Sequence, residues 1–218
     1  MIVLAIYLGR SYRMSLWKLV IAMVVLTVSG VAGTKIMFWI ESGNWGGTSF
    51  YGAVFFAAPV MVLTGMLLQV SPRELLDICA PAECVMLVIM KIRCIFEGCC
   101  LGREIWIEKI AAYIRFPSRS VEMLNAMILM GLLVYLIHNG KQRGKIYLWY
   151  LILYGGTRFV LNCFRDTEPF IWNISYGHFW SIISMIVGIV LLCIQKKCEK
   201  MMKNQKVMMK KEDSFNAK

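Results

Sequence analysis

Six stretches of this chain are long and apolar enough to decide its fold class. They cover residues 17–40, 50–70, 75–96, 121–138, 146–164 and 176–195. A helix that crosses the hydrocarbon core of a bilayer needs about 20 mostly apolar residues. Inside that core no water bonds the backbone, so only helices or closed barrels span it. The composition agrees. The 218 residues are 59% hydrophobic and 17% charged, against about 45–50% and about 25% in an ordinary globular domain. A water-soluble globule is excluded, and so is disorder over most of the chain. The expectation is an all-α polytopic membrane protein of about six transmembrane helices. Residues 1–195 form the transmembrane domain and residues 196–218 a basic tail. Residues 1–9 are apolar but too short to span, and they lack the basic start of a signal peptide. They read as the stump of a further helix or as an interfacial segment.

The net charge of +11 is informative through its placement. Basic residues accumulate in cytoplasmic loops of membrane proteins. The tail, the loop with Lys141, Arg143 and Lys145, the leading segment with Arg10, Arg13 and Lys18, and Arg73 together hold fifteen of the 24 basic residues. With six spans these segments fall on one side, so both termini read as cytoplasmic. Residues 41–49, 97–120 and 165–175 then face outward.

The remaining cations gather toward that outward side. Lys91 and Arg93 lie near the outer end of the third span, Arg158 lies inside the fifth, and Arg165 starts the last outer loop. Ionisable groups at membrane depth are costly and rare, and they usually mark function. The bland alternative is that they snorkel to the interface. Only Glu97, Glu122 and Asp77 are near enough in sequence to neutralise them. The excess positive charge suits a phosphate, which arginine holds through its planar fork. The chemistry therefore points to an anionic lipid headgroup, either as substrate or as structural ligand. Tyr154, Arg158 and Arg165 share a helix face at spacings of four and eleven, with Asn162 on the same stripe. Such a stripe faces protein or a cavity rather than lipid. A hydrogen-bond network between helices would explain it without a ligand. Two glycine clusters stand at outer span ends. One holds Gly46, Gly47 and Gly52, the other Gly98 and Gly102, and glycine lets backbone approach a ligand closely.

These pieces, in this order, resemble the prolipoprotein diacylglyceryl transferase family. The run Gly46-Gly47-Thr48-Ser49-Phe50-Tyr51-Gly52 is similar to its Gly-Gly-x-Ser-Phe-His/Tyr-Gly element. Asp77 to Ala82, followed by the helix to Lys91 and on to Gly102, resembles its Gly-Arg-Ile-Gly-Cys-Phe-x-x-Gly-Cys-Cys-Tyr-Gly element. Pro117-Ser118-Arg119-Ser120-Val121-Glu122 is similar to Pro-Thr/Ser-Gln-Leu-Tyr-Glu. Tyr154 to Phe159 with Arg165 resembles Tyr-Gly-x-x-Arg-Phe-x-x-Glu-x-x-Arg, and Gly177 to Ser181 a final Gly-Gln-x-x-Ser. The resemblance implies transfer of a diacylglyceryl group from phosphatidylglycerol to the lipobox cysteine of a prolipoprotein signal peptide, with glycerol phosphate leaving. It implies a multi-pass protein of the bacterial cytoplasmic membrane with its active face outward, and no cofactor, metal or nucleic acid. Tyr51, Tyr154 and Arg158 would be catalytic. Gly46, Gly47, Gly52, Lys91, Arg93, Glu97, Gly98, Asn162 and Arg165 would bind substrate.

The chain departs from the family pattern at several of these positions. Tyr51 stands where the family usually carries His, and Lys91 stands in the place of an arginine. Arg93 replaces a glycine, Glu97 an asparagine and Asn162 an acid. The family's first span is expected to be missing, which turns a seven-helix plan into six helices with a cytoplasmic N-terminus. Two other readings follow from these changes: a family member that is inactive or uses another acceptor while binding anionic lipid, and a small membrane transporter subunit. No histidine lies near Cys94, Cys99 and Cys100, and adjacent cysteines such as Cys99 and Cys100 do not give the spacing of a zinc site. The Met-rich basic tail reads either as a segment on anionic lipid or as a solvated tail.

Overall fold

The computed structural model describes residues 1–99, 102–107, 112–165 and 174–216. Seven helices follow one another: α1 (Ile2–Ser11), α2 (Leu16–Ser42), α3 (Phe50–Leu67), α4 (Pro72–Glu97), α5 (Ser118–Asn139), α6 (Ile146–Asn162) and α7 (Tyr176–Asn216). The protein is an all-α polytopic membrane protein, as expected. Helices α2 to α7 stand where the six apolar stretches lie. Among the described residues, four helices are long and apolar enough to cross a membrane: Leu16–Ser42, Phe50–Leu67, Ser118–Asn139 and Tyr176–Gln205. The other two differ for visible reasons. α4 carries Glu74, Asp77, Glu83, Lys91, Arg93 and Glu97 within 26 residues, and α6 has only 17 residues. The expected boundary at 195/196 falls inside α7, which runs on unbroken into the basic tail.

The outer faces of these helices are apolar. On α2, Ile21, Val24, Val28 and Val31 are exposed, while Leu19, Met23, Leu26 and Met37 are buried. In water such a surface would be an aggregation patch; against lipid tails it is the natural one. Packing then relies on close approach of small residues rather than on hydrophobicity. A Cβ on Gly33 of α2 would strike the carbonyl oxygen of Gly52 on α3, and the reverse also holds. The two backbones touch there. α6 and α7 meet the same way, with Gly155 against Met185 and Gly188 against Ile152.

Helix ends are set by local chemistry. α4 begins with Pro72, whose missing N–H costs nothing in a first turn. It ends at Gly98 with φ +68°, a left-handed conformation that glycine adopts without strain. Between α4 and α5 the outer loop contains an antiparallel hairpin that the sequence reading did not anticipate: β1 (Glu104–Ile107) pairs with β2 (Ala112–Arg115). Its base is tied to the end of α6, since Arg103 N donates to Phe164 O at 2.9 Å and Gly102 pairs with Arg165. Phe116 stacks on Phe164 at 5.0 Å. The hairpin thus holds the segment that carries Arg165. The opposite end of the bundle is closed by α1, with the Tyr7 ring stacked on His138 at 5.4 Å.

Candidate functional site

At the end of the bundle that carries the hairpin, two helices point positive charge at a carboxylate on a third. Glu122 lies in the first turns of α5 and is 2% exposed. Its Oε2 meets Lys91 Nζ of α4 at 2.5 Å and also Arg158 Nη1 of α6. Its Oε1 is 3.6 Å from Arg165 Nε, just beyond the end of α6. Three cations around one carboxylate leave a surplus of two positive charges in a buried place. Such a surplus is tolerated when an anion completes it.

The surplus borders a cavity of about 290 Å³. Lys91, Arg158, Asn162 and Arg165 line it, with Glu41 of α2, Tyr51 of α3, and Thr48 and Ser49 from the segment between those two helices. Its size is at the low end of small-molecule pockets. Several buried groups beside it lack partners. The Nε of Arg158, both amide atoms of Asn162 and the hydroxyl of Tyr154 make no hydrogen bond among the described residues. Buried polar groups are normally satisfied, so a cluster of unmet ones next to a cavity calls for a ligand.

The tyrosines are held by packing. The Tyr154 ring stacks on Tyr150 at 5.6 Å and lies 5.5 Å from both Tyr51 and Phe50. The Tyr51 hydroxyl is hydrogen-bonded to Ser181 Oγ at 2.7 Å, and Ser181 in turn donates to Gly177 O. Gly177 has no side chain because Asn162 fills that space.

The structure brings together Tyr51, Lys91, Tyr154, Arg158, Asn162 and Arg165 from the sequence reading. It does not bring Arg93 and Glu97 to them. Those two pair with each other at 2.7 Å on the surface of α4, with Arg93 75% exposed. The glycines have structural work instead. Gly46 N donates to Asn44 Oδ1, Gly47 packs on the Phe38 ring, Gly52 touches α2, and Gly98 ends α4. Cys94 lines the cavity, and its carbonyl accepts from Arg119 Nη1 at 3.0 Å. Cys100, Leu101 and Lys109 lie outside the described residues. Two site residues were absent from the expected set. Glu122 was read only as a neutralising acid, although its place in the Pro117–Glu122 element marked it. Glu41 gave no signal beyond its position at a span end.

A bundle of apolar helices with a buried cation cluster at the wall of a cavity defines a class: a polytopic membrane protein. Residues 1–194 match the prolipoprotein diacylglyceryl transferase family, and the chain belongs to it. It is therefore a transferase by family. The chain is similar to phosphatidylglycerol–prolipoprotein diacylglyceryl transferase 2 of Clostridium perfringens, with 26% identity covering 82% of this chain and 79% of that protein. It is similar to the enzyme so named from Clostridium tetani, at 21% identity covering 79% of each. The Lactococcus lactis enzyme is 24% identical, over 69% of this chain and 63% of its own length.

Proposed function

We propose that this protein transfers a diacylglyceryl group from phosphatidylglycerol to the lipobox cysteine of a prolipoprotein, at the outer face of the bacterial cytoplasmic membrane. The observation that carries the reading is the Glu122-centred cluster of Lys91, Arg158 and Arg165 at the cavity wall. The thiol sulfur attacks the glyceryl carbon that carries the phosphate. A carbon–sulfur bond forms, the carbon–oxygen bond to phosphate breaks, and glycerol phosphate leaves. Negative charge grows on the departing phosphate oxygen, where fixed cations stabilise it most effectively. Arg158 and Arg165 have forks suited to that phosphate, with Lys91 as a point charge. Glu122 keeps the three cations gathered before substrate arrives. The thiol must lose its proton to become a nucleophile. We assign the passing on of that proton to Tyr51, at the cavity wall, and to Tyr154, whose ring lies 5.5 Å from that of Tyr51.

The six-span topology, the outward orientation of the cavity and the cytoplasmic side of the basic tail belong to this proposal. The positive-inside count supports them, because the cavity lies at the end opposite Lys141, Arg143 and Lys145. Arg158→Ala is expected to abolish transfer from labelled phosphatidylglycerol to a lipobox peptide, a loss of at least a hundredfold, with expression intact. Full activity in that variant would sink the proposal. One observation favours a second reading, in which the protein binds anionic lipid without this transfer: the Tyr51 hydroxyl is already engaged by Ser181. Lipid that stays bound through purification, together with failure to restore lipoprotein maturation in a transferase-deficient cell, would select that reading.

A further inference from the structure

The cavity is bipolar. Its cations come from α4 and α6, but the end of α2 contributes a carboxylate. Glu41 lines the cavity beside Thr48 and Ser49, and Ser49 Oγ donates to Glu41 Oε1 at 2.8 Å. Among the described residues Glu41 makes no ion pair. A pocket built only to hold phosphate has no use for an acid, which repels it.

We infer that Glu41, with Ser49 and Thr48, forms a subsite for the uncharged hydroxyl-bearing end of a phosphodiester headgroup, whose phosphate lies on Lys91, Arg158 and Arg165. This deepens the proposed function and rests on it for the phosphate end. Two arguments favour hydroxyls over an ammonium at Glu41. The first is charge balance. Three cations against Glu122 and Glu41 leave one net positive charge around the cavity. A phosphodiester with a neutral polyol end brings one negative charge and closes the balance. A zwitterionic headgroup brings none and leaves the site charged. The second is hydrogen-bond capacity. An ammonium only donates, whereas a hydroxyl donates to the carboxylate and also accepts from the neighbouring Thr48 hydroxyl, while Ser49 spends its proton on Glu41. Glu41 also disfavours a phosphate monoester, whose second negative charge it opposes. It is thus a specificity-determining residue: it selects the headgroup's far end while the cations select its phosphate.

The test measures binding of three lipids with identical acyl chains to the full-length protein in detergent, by native mass spectrometry. The lipids are phosphatidylglycerol, phosphatidylethanolamine and phosphatidic acid. The wild type should prefer phosphatidylglycerol. Glu41→Ala should weaken phosphatidylglycerol about tenfold, as expected for loss of a hydrogen bond to a charged group, and should tighten phosphatidic acid. Glu41→Gln preserves shape, so a similar reversal there excludes misfolding, and unchanged melting temperatures support it. Ser49→Ala should give a smaller loss in the same direction. An unaltered lipid order in both Glu41 variants overturns the subsite while leaving the cation site standing. Tighter phosphatidylethanolamine than phosphatidylglycerol in the wild type overturns the polyol assignment. Binding of none of the three lipids overturns the phosphate site, and the Glu41 subsite with it. A wild type that prefers phosphatidylglycerol in this assay yet transfers nothing to a lipobox peptide would fault the proposed reaction alone.

Discussion

Two buried carboxylates sit at opposite ends of this bundle and are neutralised in opposite ways. Glu122 faces three cations and leaves charge to spare. Asp77, on α4 and fully buried, pairs with no cation among the described residues. It accepts from Gly144 N at 2.5 Å, Ile146 N at 2.8 Å, Tyr147 N at 3.3 Å and Tyr12 Oη at 3.0 Å. Those amides open α6, so Asp77 caps that helix from a neighbouring one. Burial, with the Asp77 charge adding to it, pushes the Tyr12 phenol up, so it keeps its proton and donates. Arg143 closes the set from outside, 4.4 Å over the Tyr12 ring and paired with Glu74 at 2.9 Å. Every donor at Asp77 has its acceptor, and nothing is left for a ligand. At Glu122 the accounts stay open, with Arg158 Nε and the Asn162 amide unmet. The difference teaches how to tell a structural acid from a functional one: by what remains unsatisfied around it, since depth of burial is the same. The two are also linked. α6 starts at Asp77 and carries Arg158 twelve residues on, about 18 Å along the axis, so the closed end fixes where the open end presents its charge.

The largest effect should come from Glu122→Gln. Removing one partner of a buried ionic cluster costs about 3–5 kcal/mol, because three cations would then face each other. Added phosphatidylglycerol should restore more stability to this variant than to the wild type, since its phosphate replaces the lost charge. Thermal melting in detergent with and without the lipid reads both quantities. Asp77→Ala should cost less, about 1–3 kcal/mol from orphaned donors, and lipid should not restore it. Equal losses with equal lipid responses would break the contrast.

The contrast extends to the phenols. Tyr12→Phe removes a satisfied hydroxyl and should cost about 1 kcal/mol. Tyr154→Phe removes a hydroxyl that bonds to nothing among the described residues, so its melting temperature should hold or rise. Transfer should nevertheless fall, if that hydroxyl handles the thiol proton. A Tyr154→Phe protein as active as the wild type would remove Tyr154 from the chemistry and leave Tyr51.

How much of this was legible follows the same division. The helices were readable because apolar length is a local property, whereas the glycines at 43, 98 and 140 that end three of them were not read as helix ends. Lys91, Arg158, Asn162 and Arg165 were readable because polar groups are conspicuous in apolar runs. Glu122 and Glu41 were harder, since each sits at a span end, where an acid is unremarkable in one dimension. Their importance comes from which helices meet there. The hairpin was missed for a related reason. Its four-residue strands carry no long alternation, and its position depends on pairing across to Gly102 and Arg165.

The smallest effect should be at Arg93, and it is the sharpest test of reading burial from sequence. Lys91 and Arg93 are two residues apart in a span, and both looked like members of one cationic group. On a helix, residues at i and i+2 do not face each other. One of them had to turn away, and it is Arg93, which pairs with Glu97 one turn along the exposed surface. Exposed pairs of this kind contribute little. Arg93→Ala should therefore leave melting, lipid binding and transfer unchanged within error, while Lys91→Ala should weaken both lipid binding and transfer. Comparable losses in the two variants would mean that Arg93 reaches the headgroup from the lipid side. The site would then extend beyond the cavity wall onto the face of α4 that meets the bilayer.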